Sequence, residues 1–266
     1  MPAPANFAIL RRARRVWAVS SIHGEAVRCS ALLDALRVRL EPGDRIVFLG
    51  NYLGFGGGIV ATVESLLAFR RDVLARSLVF ASDVVFLRGS QEEMWQKLLQ
   101  LQLAVNPREV LAWMLRHGVG ATIAAYGGDT RQGEAAARDG PRSIARWTTA
   151  LRGLMSQHPG HQALMTSLRH AAYSDDMRLL FVHAGIDPAR PLSAQNDALW
   201  WGVPGFAQLA APFEPFAMVI RGRDPAGGGV QVGPYSLTLD GGCGFGGPLI
   251  AACIDPDGRA VAWIDA

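Results

Sequence analysis

Lysine is nearly missing from this chain. Lys97 is the only one among 26 basic residues in a sequence of 266. A Walker A phosphate loop needs Gly-Lys-Ser/Thr, and a Schiff base needs a reactive amine. Neither has a candidate, because Lys97 follows Gln96 inside a predicted amphipathic helix. Cysteine is scarce as well. Cys29, Cys243 and Cys253 have no metal-ligand spacing, and an odd number without an export signal reads as reduced thiols of a cytoplasmic protein. The first segment does not read as a signal peptide, since Arg11, Arg12, Arg14 and Arg15 follow a short apolar stretch instead of preceding one. No apolar run approaches the about 18 residues of a membrane-spanning helix. GxSxG and HExxH do not occur. Gly242, Gly244 and Gly247 satisfy GxGxxG as a string, but Pro248 and a β-like run follow where a dinucleotide site needs a helix.

Apolar residues are plentiful: they make up 50% of the chain, against 18% charged and a net charge of +3. That composition excludes disorder and fits one well-filled domain. Residues 16–19 read as a strand running into Ser20-Ser21-Ile22-His23-Gly24, and Val27, Leu32, Leu33, Leu36 and Leu40 recur at helical spacing. Residues 45–49 form a second strand that ends at Gly50-Asn51-Tyr52, with a helix over about 59–70. A third strand at 84–87 ends at Arg88-Gly89-Ser90-Gln91, and a helix covers 92–104. This alternation predicts an α/β layered fold, with its chemistry in the loops beyond the carboxyl ends of the strands. Residues 105–177 read as a helical insertion in which the polar stretch 127–142 is a mobile loop. Strand signals return at 178–182, 216–220, 236–239, 249–254 and 260–264. The expected organisation is a basic lead-in over 1–15 and a single domain over 16–266.

Several strand-end loops carry motifs in a recognisable order. SSIHG (20–24) resembles GDIHG, GNYLGFG (50–56) resembles GDYVDRG, and RGSQEEM (88–94) resembles RGNHEEM. FVHAGIDP (181–188) keeps an FVHAG segment, with PLSAQ and LWW after it. VIRGRDP (219–225) resembles VHGHTP, LDGGCGFGGPL (239–249) resembles IDTGAxxGGxL, and WMLRHGVGATIAAYG (113–127) resembles WLxxGGxxTxxSYG. Together these are similar to the calcineurin-like metallophosphoesterases, in the branch of bacterial serine/threonine protein phosphatases and diadenosine tetraphosphatase-like enzymes. The resemblance runs over about residues 16–256. It implies a four-layered α/β/β/α sandwich with a two-metal site at its mouth.

Carried over residue by residue, the same resemblance implies an altered site. The family's ligand positions fall on Ser21 (Asp in the family), His23 (retained), Asn51 (the bridging Asp), Ser90 (Asn), His183 (retained) and Arg223 (His). No carboxylate remains among them, and Arg223 is a fixed cation that repels a metal. The family's proton-donating His is Gln91, its partner Asp is Gly54, and its phosphate-binding Arg is Phe55. Gln91 cannot exchange a proton near neutral pH. Turn and packing residues such as Gly24, Gly50, Tyr52, Gly56, Gly89, Glu92, Ala184, Gly185 and Pro188 match.

The reading is therefore a pseudo-phosphatase, a kept scaffold around a degraded site. It would bind, scaffold or regulate through a pocket of Ser21, His23, Asn51, Gly54, Phe55, Ser90, Gln91, His183 and Arg223. No cofactor and no catalytic residue are expected, and a weak single divalent metal on His23 and His183 stays open. Partners would be a protein or an anionic, phosphorylated ligand, the latter held by Arg223 unless Glu92 or Asp224 pairs with it. Phe55 either forms a contact patch with Tyr52 and Leu53 or fills the volume of the missing charged groups. Trp95, Trp113, Met114, Trp200 and Trp201 read as core. The alternative is a surviving phosphoesterase with a rearranged site, recruiting an acid such as Asp83, Glu92 or Asp240. A third reading, polyanion binding by Arg11 to Arg15, is disfavoured by the modest net charge.

Overall fold

The computed structural model describes residues 6–195 and 197–266. The strands are β1 (Phe7–Leu10), β2 (Arg15–Val19), β3 (Asp44–Phe48), β4 (Val84–Phe86), β5 (Ala171–Ser174) and β6 (Leu179–Val182), then β7 (Met218–Arg221), β8 (Gln231–Val232), β9 (Ser236–Thr238), β10 (Ile250–Ile254) and β11 (Ala260–Asp265). The helices are α1 (Ala26–Arg39), α2 (Ile59–Leu74), α3 (Ser90–Leu98), α4 (Pro107–Arg116), α5 (Val119–Ala125), α6 (Thr130–Asp139), α7 (Pro141–Ser156), α8 (His161–Ser167) and the single turn α9 (Ala198–Trp201). One sheet runs β11-β10-β2-β3-β4 and the other β1-β5-β6-β7-β9-β8.

Strand alternation explains the layering. On β2 and β3, Trp17, Val19, Ile46 and Phe48 face the helices and join Leu32, Leu36, Val63 and Phe69 in one core. Their neighbours Val16, Ala18 and Val47 point the other way, against Phe181, Ile220 and Leu237 of the second sheet. The outer face of that second sheet buries Leu180, Val182 and Val219 under Leu199, Trp200, Phe206 and Phe213. Side chains that alternate between two faces must find a partner layer on each. The result is the expected four-layered α/β/β/α sandwich. Within the two sheets β2-β3-β4 and β6-β7-β9 pair in parallel, so the carboxyl ends in each group emerge together.

Two expectations are corrected. The stretch 127–142 is no loop: Asp129 caps α6 by accepting from Arg131 N, and α6 turns directly into α7. Its Gly133 is there for close approach, because a Cβ at that position would sit 2.4 Å from the Trp147 ring. The polar residues that suggest a loop are the exposed face of an amphipathic helix whose Ala136 and Ala137 are buried. In the basic N-terminal segment, β1 pairs in parallel with β5 and becomes an edge strand of the second sheet. Residues 1–5 of that segment lie outside the described residues. Arg14 and Arg15 both pair with Glu41, and Arg15 also with buried Asp44. Among the described residues no helix is long and apolar enough to cross a membrane.

Candidate functional site

The carboxyl ends of β2, β3, β4, β6 and β7 deliver the residues read from the sequence into one place, and Asn51 is its hub. Asn51 sits just past β3 with φ +56°, fully buried. Its side-chain oxygen accepts from Gln91 N at 2.9 Å and from Ser90 Oγ at 3.2 Å. That leaves its amide NH2 to donate to His23 Nε2 at 3.3 Å. His23 therefore carries its ring hydrogen on Nδ1. The preceding Gly50, with φ +97°, lets three loops touch: a Cβ there would lie 2.6 Å from Gly89 N and 2.9 Å from His183 Nδ1.

Glu92 fastens these loops. Its buried carboxylate accepts from Asn51 N at 2.8 Å, Gly89 N at 2.9 Å and Leu53 N at 3.0 Å. Burial raises its pKa, and the backbone donors oppose that rise. His183 is fully buried with Nδ1 2.7 Å from Leu49 O, so Nδ1 carries the hydrogen and Nε2 is bare. The His183 pKa is lowered to about 4, by burial first and then by Arg223, against the opposing Leu49 carbonyl and Asp240. The His23 pKa falls to about 3, from burial first and then from Arg223 and His183. Both imidazoles are neutral at physiological pH.

Arg223 bonds Asp240 at 2.7 Å, and its guanidinium lies 5.0 Å from the Phe245 ring centre. Neither acid named as its sequence-predicted partner is used. Asp224 pairs with Arg221 at 3.0 Å, and Glu92 holds backbone amides. Asp240 also accepts from Asp224 N and Gly242 N. The third candidate acid, Asp83, precedes β4 at the opposite end of that strand and pairs with Arg45 at 3.1 Å.

The mouth is aromatic. Phe55 is 40% exposed, rests against Gly118, and packs 4.8 Å from Phe245 and 5.6 Å from His23, ring centre to ring centre. Trp113, read as core from the sequence, is 38% exposed, stacked on His117 at 4.2 Å and edge-on to Trp201. Met114, one position on, takes the buried side of α4. Gln91 Nε2 donates to the His117 carbonyl at 2.8 Å, tying α3 to this rim. Gly54, with φ +127°, passes so close that a Cβ would lie 2.8 Å from His23 Nδ1. Phe245 was not singled out in the sequence. A lone aromatic between the glycines of residues 241–247 was the available signal.

The resemblance of the strand-end motifs implies a pair of divalent ions, and the residues standing at those positions do not suit them. Such ions need anionic oxygen, including a bridging carboxylate. The positions hold two neutral imidazoles, an amide whose oxygen already accepts two bonds, two serines and an arginine. The neighbouring carboxylates of Glu92 and Asp240 accept three hydrogen bonds each. Ser21 Oγ, His23 Nδ1, Gln91 Oε1 and His183 Nε2 are buried with no partner among the described residues. Four such atoms in one pocket call for water or a bound group.

No family's sequence profile matches the chain, and no curated protein is recognisably similar to it in sequence. Solved structures are similar in fold. One is a protein assigned as a diadenosine tetraphosphatase, 18% identical over 99% of both chains with a TM-score of 0.58. A cold-active protein tyrosine phosphatase is 13% identical, over 100% of this chain and 80% of the other, at 0.52. A protein serine/threonine phosphatase from Saccharomyces cerevisiae, with similarity to human phosphatase PP5, is 12% identical over 98% and 82% at 0.51. At these identities the likeness establishes architecture alone: the chain shares the α/β sandwich fold of these solved structures.

Proposed function

We propose that this protein is a pseudo-phosphatase, which uses the strand-end pocket to bind and does not hydrolyse phosphate esters. One observation carries the reading: among the described residues no carboxylate is left to face His23 and His183, because those of Glu92 and Asp240 are committed to backbone amides and Arg223. Without anionic ligands two divalent ions repel each other uncompensated, so the pair is not held. Gln91 in place of a proton-transferring histidine supports the same conclusion.

The binding partner is better argued as a protein surface than as a free anion. Asp240 matches the Arg223 charge, so that arginine adds no net positive charge to attract phosphate. Phe55, Phe245 and Trp113 form the exposed aromatic rim that protein contacts favour. The three free, buried cysteines support a cytoplasmic setting.

The bare Nε2 of His183 favours a second reading, a residual phosphoesterase holding one weakly bound ion. An imidazole whose Nδ1–H is fixed on a carbonyl is pre-oriented as a ligand. Purified protein assayed with p-nitrophenyl phosphate and Mn2+ separates the two. Turnover no greater than buffer, unchanged in His183→Ala, is expected. Turnover abolished by His183→Ala would overturn the proposal in favour of the phosphoesterase.

A further inference from the structure

Three of the six histidines lie outside the strand-end pocket and its rim, and two of them converge. His158 lies two residues past the end of α7, Pro159 and Gly160 turn the chain, and His161 opens α8. Their rings are 5.1 Å apart, centre to centre. Glu64 on α2 faces the pair. One donor atom from each of Glu64, His158 and His161 lies within 4.8 Å of the other two.

The second coordination layer is already in place. The Tyr126 hydroxyl is 2.9 Å from His161 Nδ1, which fixes that ring and leaves Nε2 as the available nitrogen. His161 is fully buried, yet its Nε2 has no partner among the described residues. A metal-ligating histidine has its second ring nitrogen fixed by a hydrogen-bond acceptor, the place the Tyr126 oxygen takes when Nδ1 carries the hydrogen. We infer that Glu64, His158 and His161 form a zinc-type divalent metal site, separate from the strand-end pocket.

Two imidazoles and one carboxylate select Zn2+ or a similar borderline ion over Mg2+ and Ca2+, which prefer all-oxygen shells. Zinc with ligands at about 2.0–2.1 Å sets tetrahedral ligand atoms about 3.4 Å apart. Glu64 and His158 are not buried, so modest side-chain rotation closes the cluster. Three protein ligands leave a fourth position for water or a partner's side chain. The ion would join the α7–α8 turn of the helical insertion to α2, which packs on the five-stranded sheet. It therefore acts as a clamp between insertion and core.

The test is titration of EDTA-stripped protein with ZnCl2, read by isothermal calorimetry and by metal content after gel filtration. One Zn2+ per chain is expected, with a raised melting temperature and no such response to MgCl2. Glu64→Gln and His158→Ala, both at non-buried positions, should each weaken binding at least tenfold. Tyr126→Phe should weaken it by about tenfold, the usual effect of losing a ligand's orienting partner. The double variant His23→Ala/His183→Ala should keep the full stoichiometry. The site is refuted if wild-type protein takes up no zinc or if zinc survives Glu64→Gln and His158→Ala undiminished. Loss of zinc only in the His23/His183 variant likewise refutes it, by placing the ion in the strand-end pocket.

Discussion

Acid is expected to unfold this protein through its own pocket, and the size of the effect can be worked out. The folded-state pKa values of His23 and His183 are lowered from 6.5 to about 3 and about 4, by burial first and by Arg223. Between pH 6.5 and those values the unfolded chain binds protons that the folded chain refuses. Stability therefore falls as pH drops through this window and levels off below it. Each imidazole costs about 2 kcal/mol on going from pH 7 to pH 5. The pair costs about 4 kcal/mol, a large share of the ~5–15 kcal/mol that holds a domain folded. Glu92 acts in the opposite sense, because its raised pKa lets the folded state take up a proton early. His161 and His170, also lowered, add to the loss. A difference measurement removes these contributions. His183→Asn keeps a donor for the Leu49 carbonyl but does not titrate. Urea unfolding at pH 7.5, 6.5, 5.5 and 5.0 should show a variant slope about 1.4 kcal/mol per pH unit shallower than wild type below pH 6. Identical slopes would refute the reasoning, since they would mean that His183 accepts a proton in the folded state.

Two further outcomes test the packing that shapes the site. Gly133→Ala drives a methyl into the Trp147 ring and should lose about 1–3 kcal/mol, whereas Gly153→Ala, in α7 with nothing within 4 Å of the new methyl, should gain about 0.5–1 kcal/mol in thermal or urea denaturation. Glu92→Gln replaces one acceptor oxygen by an NH2 facing a backbone N–H, so it should cost about 1–3 kcal/mol and lower the melting temperature; a neutral result would show that the carboxylate is not what fastens residues 51, 53 and 89.

The residues that follow the strand ends were legible in the sequence. Ser21, His23, Asn51, Ser90, Gln91, His183 and Arg223 each follow a strand whose apolar run marks its end, and parallel strands carry such ends to the same edge. The use made of the acids was not legible. Glu92 and Asp240 read as spare carboxylates, yet one is held by three backbone amides and the other by Arg223 and two amides. Hydrogen bonds to loop backbone leave no pattern in the side chains of a sequence. The helices of 127–142 were hidden because Gly133, which signals a turn locally, is a contact residue when Trp147 lies opposite.

By itself, then, the sequence determined the layered α/β order and the set of residues at the strand ends. These follow from periodicity and from residue type, which are local properties. Tertiary structure alone decided that Arg223 meets Asp240 and not Asp224, that Trp113 and Phe245 rim the pocket, and that Glu64 on α2 faces His158 and His161. Each of these joins segments far apart along the chain, and only the packing of helices and loops onto the two sheets fixes which distant side chains come within reach.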